Sequence, residues 1–215
     1  VKRKYFLNGS ALLRVNKFPK SYPGSEYEES IIIKISEKIE KTDAIILADF
    51  NYGTLSKKLV SKIIKMAKKG NVFISGDSQS SSQIGKIGSF KKCNLISLTE
   101  YEARLALQEQ ELGPNFLIKQ FVKYSELDKV FLKLGKSGFL IHSGGENSTD
   151  LWQEESIPAL NEHPIDISGA GDSMLVLGSL VIALGKDIWS ASLLAAIASA
   201  IQISRKGNVP ITSNE

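Results

Sequence analysis

Cysteine is nearly missing from this chain: Cys93 is the only one in 215 residues. That excludes an internal disulfide and fits a reducing compartment, so a cytoplasmic protein is expected. Histidine is almost as scarce, with only His142 and His163, and no Cys/His cluster accompanies either. A zinc centre is therefore not expected, and both histidines read as surface or supporting groups. Apolar runs stay well short of the roughly 18 residues that span a bilayer. The nearest, "SMLVLGSLVIALG" at 173–185, is broken by glycine and preceded by Asp172, as befits a core helix. The opening "VKRKYFLNGS" is basic but has no apolar centre of the kind a signal peptide needs. A one-sided charge is lacking too: Lys and Arg total 27 against 23 Asp and Glu, a net +4. Lysines scattered in this way read as a solvated surface, so neither nucleic acid nor membrane is an expected partner.

What is present is ordinary globular material, with 42% hydrophobic and 23% charged residues. At this length one α/β domain over residues 1–215 is the economical reading. "KYFLNGSALLRV" (4–15) reads as a β-hairpin turning at Asn8-Gly9. "FPKSYPGS" (18–25) reads as a loop. Ile31, Ile32, Ile35 and Ile39 then form the stripe of an amphipathic helix. "DAIILADF" predicts a strand, and "SKKLVSKIIKMAKKG" a helix stopped by Gly70. Further strands are expected at 72–75 and 94–97, followed by a helix opened by Thr99 and another over "NFLIKQFVKYS". "DKVFLKLG" and "SGFLIHSGG" read as a hairpin, and two helices, 170–184 and 188–204, close the chain. The Ser-rich "SGDSQSSSQIG" (75–85) reads as a surface loop. Alternating strands and helices predict a mostly parallel sheet covered on both faces, a three-layer α/β/α architecture.

In such sheets ligands bind beyond the carboxyl ends of the strands. The expected strand 44–48 leads into Asp49, 72–75 into Gly76-Asp77 and 129–134 into Gly135, while 94–97 ends in Ser97 with Glu100 just beyond. Three acidic residues on one rim favour a metal–nucleotide or polyol site over plain turn chemistry. "DISGAGD" (166–172) adds a second signal. Gly169, Ala170 and Gly171 leave a helix start free of bulky side chains, so an anion can reach its unpaired amides. A dipole-complementing Asp explains Asp172 alone, at about 0.3–1 kcal/mol, but not the three small residues before it, whose glycines cost conformational entropy. A transferring phosphoryl group explains both. The dinucleotide pattern G-x-G-x-x-G fails, because Met174 stands at its sixth position, and the phosphate-loop pattern is absent.

These residues carry a resemblance. "PIDISGAGDSML" resembles the D-[TV]-[TS]-G-A-G-D signature of the ribokinase-like (PfkB) carbohydrate kinases. "ILADFNYGTLS" is similar to the "SDYGKG" segment of the heptose 7-phosphate kinase group, and "FISGDSQ" with "NLISLTEYEARLAL" to its "DPK" and "TPNxxE" block. "VFLKLGKSGFLI" resembles the T-x-G-x-x-G hairpin on the nucleotide side, and the likeness runs from about residue 4 to residue 211. It implies ATP-dependent phosphoryl transfer to a sugar or sugar-phosphate hydroxyl. It also implies Mg²⁺, a monovalent cation such as K⁺, a fused or partner nucleotidyltransferase, and a homodimer as one possible assembly.

By the same resemblance, Asp172 is the base, and Gly169, Ala170 and Gly171 are the anion hole for the γ-phosphate. Asp166 helps to place the monovalent cation, and Glu100 organises Mg²⁺ through water. Gly135, Lys136 and Gly138 flank the nucleotide, Ser97 stands where the family has a nucleotide- and metal-side Asn, and Asp49 and Asp77 belong to the substrate side. Three positions depart from the pattern: Tyr52 and Gln79 replace lysines, and Ser97 replaces that Asn. Losing two cations weakens binding of an anionic ligand. Family members also carry an N-terminal sugar-binding segment with no counterpart here, so this chain is expected to be the catalytic, nucleotide-binding portion of a longer protein. A non-catalytic nucleotide or sugar-phosphate binding module remains the alternative.

Overall fold

Strands buried on both faces need apolar side chains at nearly every position, and "AIILA", "FIS" and "LISL" supply them. The computed structural model describes residues 2–7, 10–16, 23–80, 85–144, 154–207, 209–212 and 214–215. Strands β1 (Lys2–Leu7) and β2 (Ser10–Asn16) pair antiparallel as a separate two-stranded ribbon. This is the expected hairpin; its Asn8-Gly9 turn, like most of the 18–25 loop, lies outside the described residues. Helix α1 (Ser25–Ser36) lays Ile31, Ile32 and Ile35 against the main core, and Ile39 packs there from a short 3₁₀ turn.

Among the described residues, six strands form the main sheet in sequence order: β3 (Ala44–Asp49), β4 (Phe73–Ser78), β5 (Leu95–Thr99), β6 (Lys129–Lys133), β7 (Phe139–Ser143) and β8 (Glu154–Ile157). β3 to β6 are parallel, and β7 and β8 are antiparallel to their neighbours. This is the expected three-layer α/β architecture, a mostly parallel sheet covered by helices on both faces.

Two expected strand ends are corrected. β4 does not stop at Ser75: Gly76, Asp77 and Ser78 continue it, with Asp49 in register with Ser78. β5 likewise runs past Ser97 to Thr99. The start of the Ser-rich stretch is thus buried strand rather than surface loop, and residues 81–84 lie outside the described residues. β8, short and polar, was not expected from its sequence "EESI". His142, expected at the surface or in support, is buried. Its Nε2 lies 2.7 Å from the Gly144 carbonyl and its Nδ1 3.3 Å from Glu154 Oε1, which ties β7 to β8.

Because β3 to β6 follow one another across the sheet, right-handed crossovers put their connecting helices on one face. Helices α2 (Lys57–Lys69), α3 (Glu100–Leu107) and α4 (Pro114–Ser125) accordingly share a core with Ile74, Ile96, Leu98, Val130 and Leu132. Ser56 caps α2 through the Leu59 amide, and Thr99 and Glu102 form a capping box on α3. The opposite face is covered by α5 (Ala170–Ala183) and α6 (Ile188–Ile203), which pack on Leu95, Phe131, Phe139 and Ile141. Asp187 caps α6, and the Ser190 amide and hydroxyl hold its carboxyl below the ordinary aspartate value. Each Leu, Ile or Phe fully buried in these layers contributes about 1.5–3 kcal/mol.

Cys93 is 3% exposed, and burial pushes its thiol up to about 12. The native protein is therefore expected to resist a thiol reagent at pH 8, and to react at once when unfolded. Rapid labelling of the folded chain would contradict the packing at the start of β5.

Candidate active site

Helix α5 is laid against the sheet by small residues at its centre. A Cβ on Gly178 would sit 2.6 Å from the Phe131 ring, so only glycine lets the helix approach β6 this closely. One residue later, Ser179 Oγ lies 2.6 Å from Ser75 Oγ of β4, and nearer the helix start Met174 Sδ lies 4.0 Å from Ser97 Oγ of β5. The helix thus runs toward the carboxyl ends of the strands as its own N-terminus is approached. Side chains alternate along a strand, so the face holding Ser75, Ser97 and Phe131 also holds Asp77 and Lys133. The first turn of α5 meets those two at the rim.

Gly169 caps that turn at φ 85, a left-handed conformation costly for other residues, and no side chain caps the helix. Among the described residues no side chain blocks its amide end, where the Ala170 amide makes one long bond, 3.4 Å to the Ile167 carbonyl. Lys133 Nζ lies 3.2 Å from Asp77 Oδ2 and 3.2 Å from the point a Gly171 Cβ would occupy. Asp172, in the same turn, accepts a hydrogen bond of 3.2 Å from Gln79 Nε2 through Oδ1. Asp77 is 4% exposed, and its second oxygen, Oδ1, is buried without a partner. The Asp172 carboxylate, the Lys133 ammonium, a helix end without a side-chain cap and an unsatisfied Asp77 oxygen converge within one cluster.

The remaining expected residues fall elsewhere. Asp49 shares the rim with Asp77 but faces the opposite side of the sheet: its Oδ1 accepts from the Asn51 amide at 2.9 Å and its Oδ2 from Ser78 Oγ at 3.1 Å. Glu100 engages Arg104 on its own helix through Oε1, so the three acidic residues do not form one set. Ser97 is fully buried against Met174. Asp166 accepts from the Ser168 and Gly207 amides, tying the loop before α5 to the end of α6, where the Ser168 and Gly207 carbonyls also gather around the Gln202 amide. Gly135 and Lys136 lie exposed in the β6–β7 turn, and Gly138 closes it under the end of β8.

Lys133 and Gln79 were not among the expected site residues. Lys133 ends a buried strand and stands at the Thr position of the T-x-G-x-x-G pattern, which is the signal that marks it. A depression of about 260 Å³ lined by Tyr27, Glu28, Thr54, Ser56 and Lys86 shares no residue with the cluster, and the convergence of charged groups rather than this hollow marks the site.

The family model for pfkB family carbohydrate kinases matches residues 22–214. The chain belongs to the pfkB family of carbohydrate kinases. As a member of that family it is 27% identical over 191 residues to the bifunctional protein HldE of Campylobacter jejuni, covering 87% of this chain and 39% of that protein. To the HldE of Wolinella succinogenes it is 24% identical over 219 residues, covering all of this chain and 43% of the relative. The pfkB chain described here therefore spans about two fifths of the curated relatives it matches. Its fold is similar to that of Escherichia coli phosphofructokinase-2 solved with potassium, with a TM-score of 0.67, 14% identity, and 84% of this chain on 58% of that one. Arabidopsis thaliana ribokinase, solved with ribose and ATP, superposes at a TM-score of 0.64 with 16% identity, 88% of this chain matching 56% of that one. Among the described residues of this pfkB member, no helix is long and apolar enough to cross a membrane.

Proposed function

We propose that this chain is the nucleotide-binding and catalytic portion of an ATP-dependent kinase for a sugar or sugar phosphate, of the heptose 7-phosphate kind. The observation that carries the reading is Asp172 in the first turn of a helix that starts at the left-handed Gly169 without a side-chain cap, with the Lys133 ammonium 3.2 Å from the Gly171 Cβ position. In the reaction, the acceptor hydroxyl oxygen forms a bond to the γ-phosphorus of ATP. The bond from that phosphorus to its bridging oxygen breaks, and ADP leaves with the electron pair. The hydroxyl proton passes to Asp172. Amides at 169–171 stabilise the charge that builds on the transferring group.

Mg²⁺ bound with the nucleotide would neutralise phosphate charge; Glu100 keeps one carboxylate oxygen outside its Arg104 pair and suits a water-mediated role. A monovalent cation would find oxygen donors at Asp166 and at the Ser168 and Gly207 carbonyls. Gly135, Lys136 and Gly138 would border the nucleotide, and Asp77 the acceptor. The single cysteine supports a cytoplasmic protein, and the bifunctional HldE relatives, of which this chain spans about two fifths, support a partner or fused domain, which the family resemblance makes a nucleotidyltransferase.

One observation favours a second reading, a module that binds nucleotide without turnover: the Gln79 amide already engages the Asp172 carboxylate. ADP release with heptose 7-phosphate and a panel of other sugar phosphates separates the two. Turnover that depends on Asp172 supports the kinase, and its absence across the panel, with nucleotide binding intact, supports the module.

A second variant probes the cradle. Gly171→Val would push a side chain against Lys133 Nζ and over the helix end. It is expected to weaken a non-hydrolysable ATP analogue by about tenfold, roughly 1.4 kcal/mol, while sparing adenosine. Equal losses for the two ligands would argue against phosphate contact at Gly171.

A further inference from the structure

The cluster at the start of α5 contains an ion pair that makes poor sense as a structural device. Lys133 is largely buried, with 17% of its side chain exposed, and its one described partner is Asp77 Oδ2. An ammonium has three donors, so two lack a partner among the described residues. Its position is also electrostatically awkward. It stands over the first turn of α5, beside amides that carry the positive end of the helix dipole, where a cation is disfavoured. Asp77 offsets this only in part, because its Oδ1 is buried and unpartnered. A buried pair left half satisfied is seldom worth more than apolar packing of the same volume. The surplus donors, the open amides and the orphan carboxylate oxygen would all be satisfied together by one kind of ligand. It is a multiply charged phosphoryl group whose oxygens accept from Lys133 and the α5 amides, accompanied by a hydroxyl or water that donates to Asp77 Oδ1.

We propose that Lys133 is a phosphate-binding residue of this site, reaching from the end of β6 to the terminal phosphoryl group of ATP across the α5 N-terminus, with Asp77 holding its ammonium in place. The proposal rests on the kinase reading for the identity of the ligand. It assigns to β6 a cationic role that Gln79 and Tyr52, both neutral, do not fill from the neighbouring loops. Gln79 instead orients Asp172. Gly171 has a further reason to be glycine, since any side chain there would displace the ammonium.

Calorimetric titration of the full chain with adenosine and with adenylyl imidodiphosphate plus Mg²⁺ tests this on the wild type, Lys133→Met and Lys133→Arg. Thermal melts of each variant confirm that it is folded. Lys133→Met is expected to weaken the imidodiphosphate by about tenfold or more and to leave adenosine within about twofold, with Lys133→Arg recovering most of the loss. Parallel losses for both ligands, no loss for either, or a wild type that binds the imidodiphosphate no better than adenosine would each overturn the assignment. Failure of the kinase reading looks different. Lys133-dependent binding without ADP formation from any sugar phosphate would leave Lys133 standing and remove the kinase. Asp172-dependent turnover unaffected by Lys133→Met would do the reverse.

Discussion

Asp172→Asn should lower phosphoryl transfer by about 10²–10⁴-fold while leaving affinity for an ATP analogue within about twofold. The substitution keeps the shape of the side chain, and its amide oxygen can still accept the Gln79 hydrogen bond. On the proposed kinase reading, what it removes is the ability to take a proton from the acceptor hydroxyl, a poor nucleophile until deprotonated. Loss of turnover with binding retained separates proton transfer from positioning. The measurement is ADP formation at saturating acceptor, paired with titration of the analogue. Turnover within tenfold of wild type would take Asp172 out of the mechanism, and a matching loss of binding would make it a cradle residue.

Gly138→Ala is expected to be the most damaging single methyl group in the β6–β7 hairpin. Gly138 sits at φ 86 and ψ −130, and a Cβ there would lie 2.0 Å from the Ile157 carbonyl oxygen and 2.7 Å from the Pro158 carbonyl carbon. Both neighbours are backbone, so no side-chain rotation relieves the clash, and the end of β8 must move away from the β6–β7 turn. Strain of about 1–3 kcal/mol adds to overpacking of about 1–3 kcal/mol. At about 2–4 °C per kcal/mol for a chain of this size, the melting temperature should fall by roughly 4–24 °C. Gly135→Ala is the control. That residue is also left-handed, at φ 62, but among the described residues nothing lies within 4 Å of its Cβ position, so the cost should stay near the roughly 1–2 kcal/mol of the conformation itself. Equal losses for the two variants would show that the β8 contact is not what demands glycine at 138.

Much of this protein is written locally and could be read locally. Ser56, Thr99 and Asp187 mark helix starts because their side chains satisfy exposed amides, and the expected α2, α3 and α6 begin where they stand. "DISGAGD" (166–172) announced a helix start free of bulky side chains, and the helix begins at Ala170 with Gly169 in the left-handed conformation. Family and fold were legible for the same reason: backbone demands of this kind are met within a few residues.

Which side chains meet across the sheet was not legible. In a strand apolar on both faces, alternation leaves no polar pattern to show which residue faces which helix. Asp49 and Asp77 therefore looked equivalent at the strand ends, yet register turns one toward Ser78 and the other toward Lys133 and α5. Lys133 looked like one more surface lysine until Gly178 and Ser179 seated α5 over its strand. β8 is too short and polar to declare itself, and it forms because β7 offers it an edge to pair with. The sequence by itself determined most of the elements, though not β8, together with the glycine-led helix start and the family. Tertiary structure alone decided that Asp77, Gln79, Lys133 and Asp172 face one another, because that depends on strand parity and helix seating, which residues far apart in the chain set together.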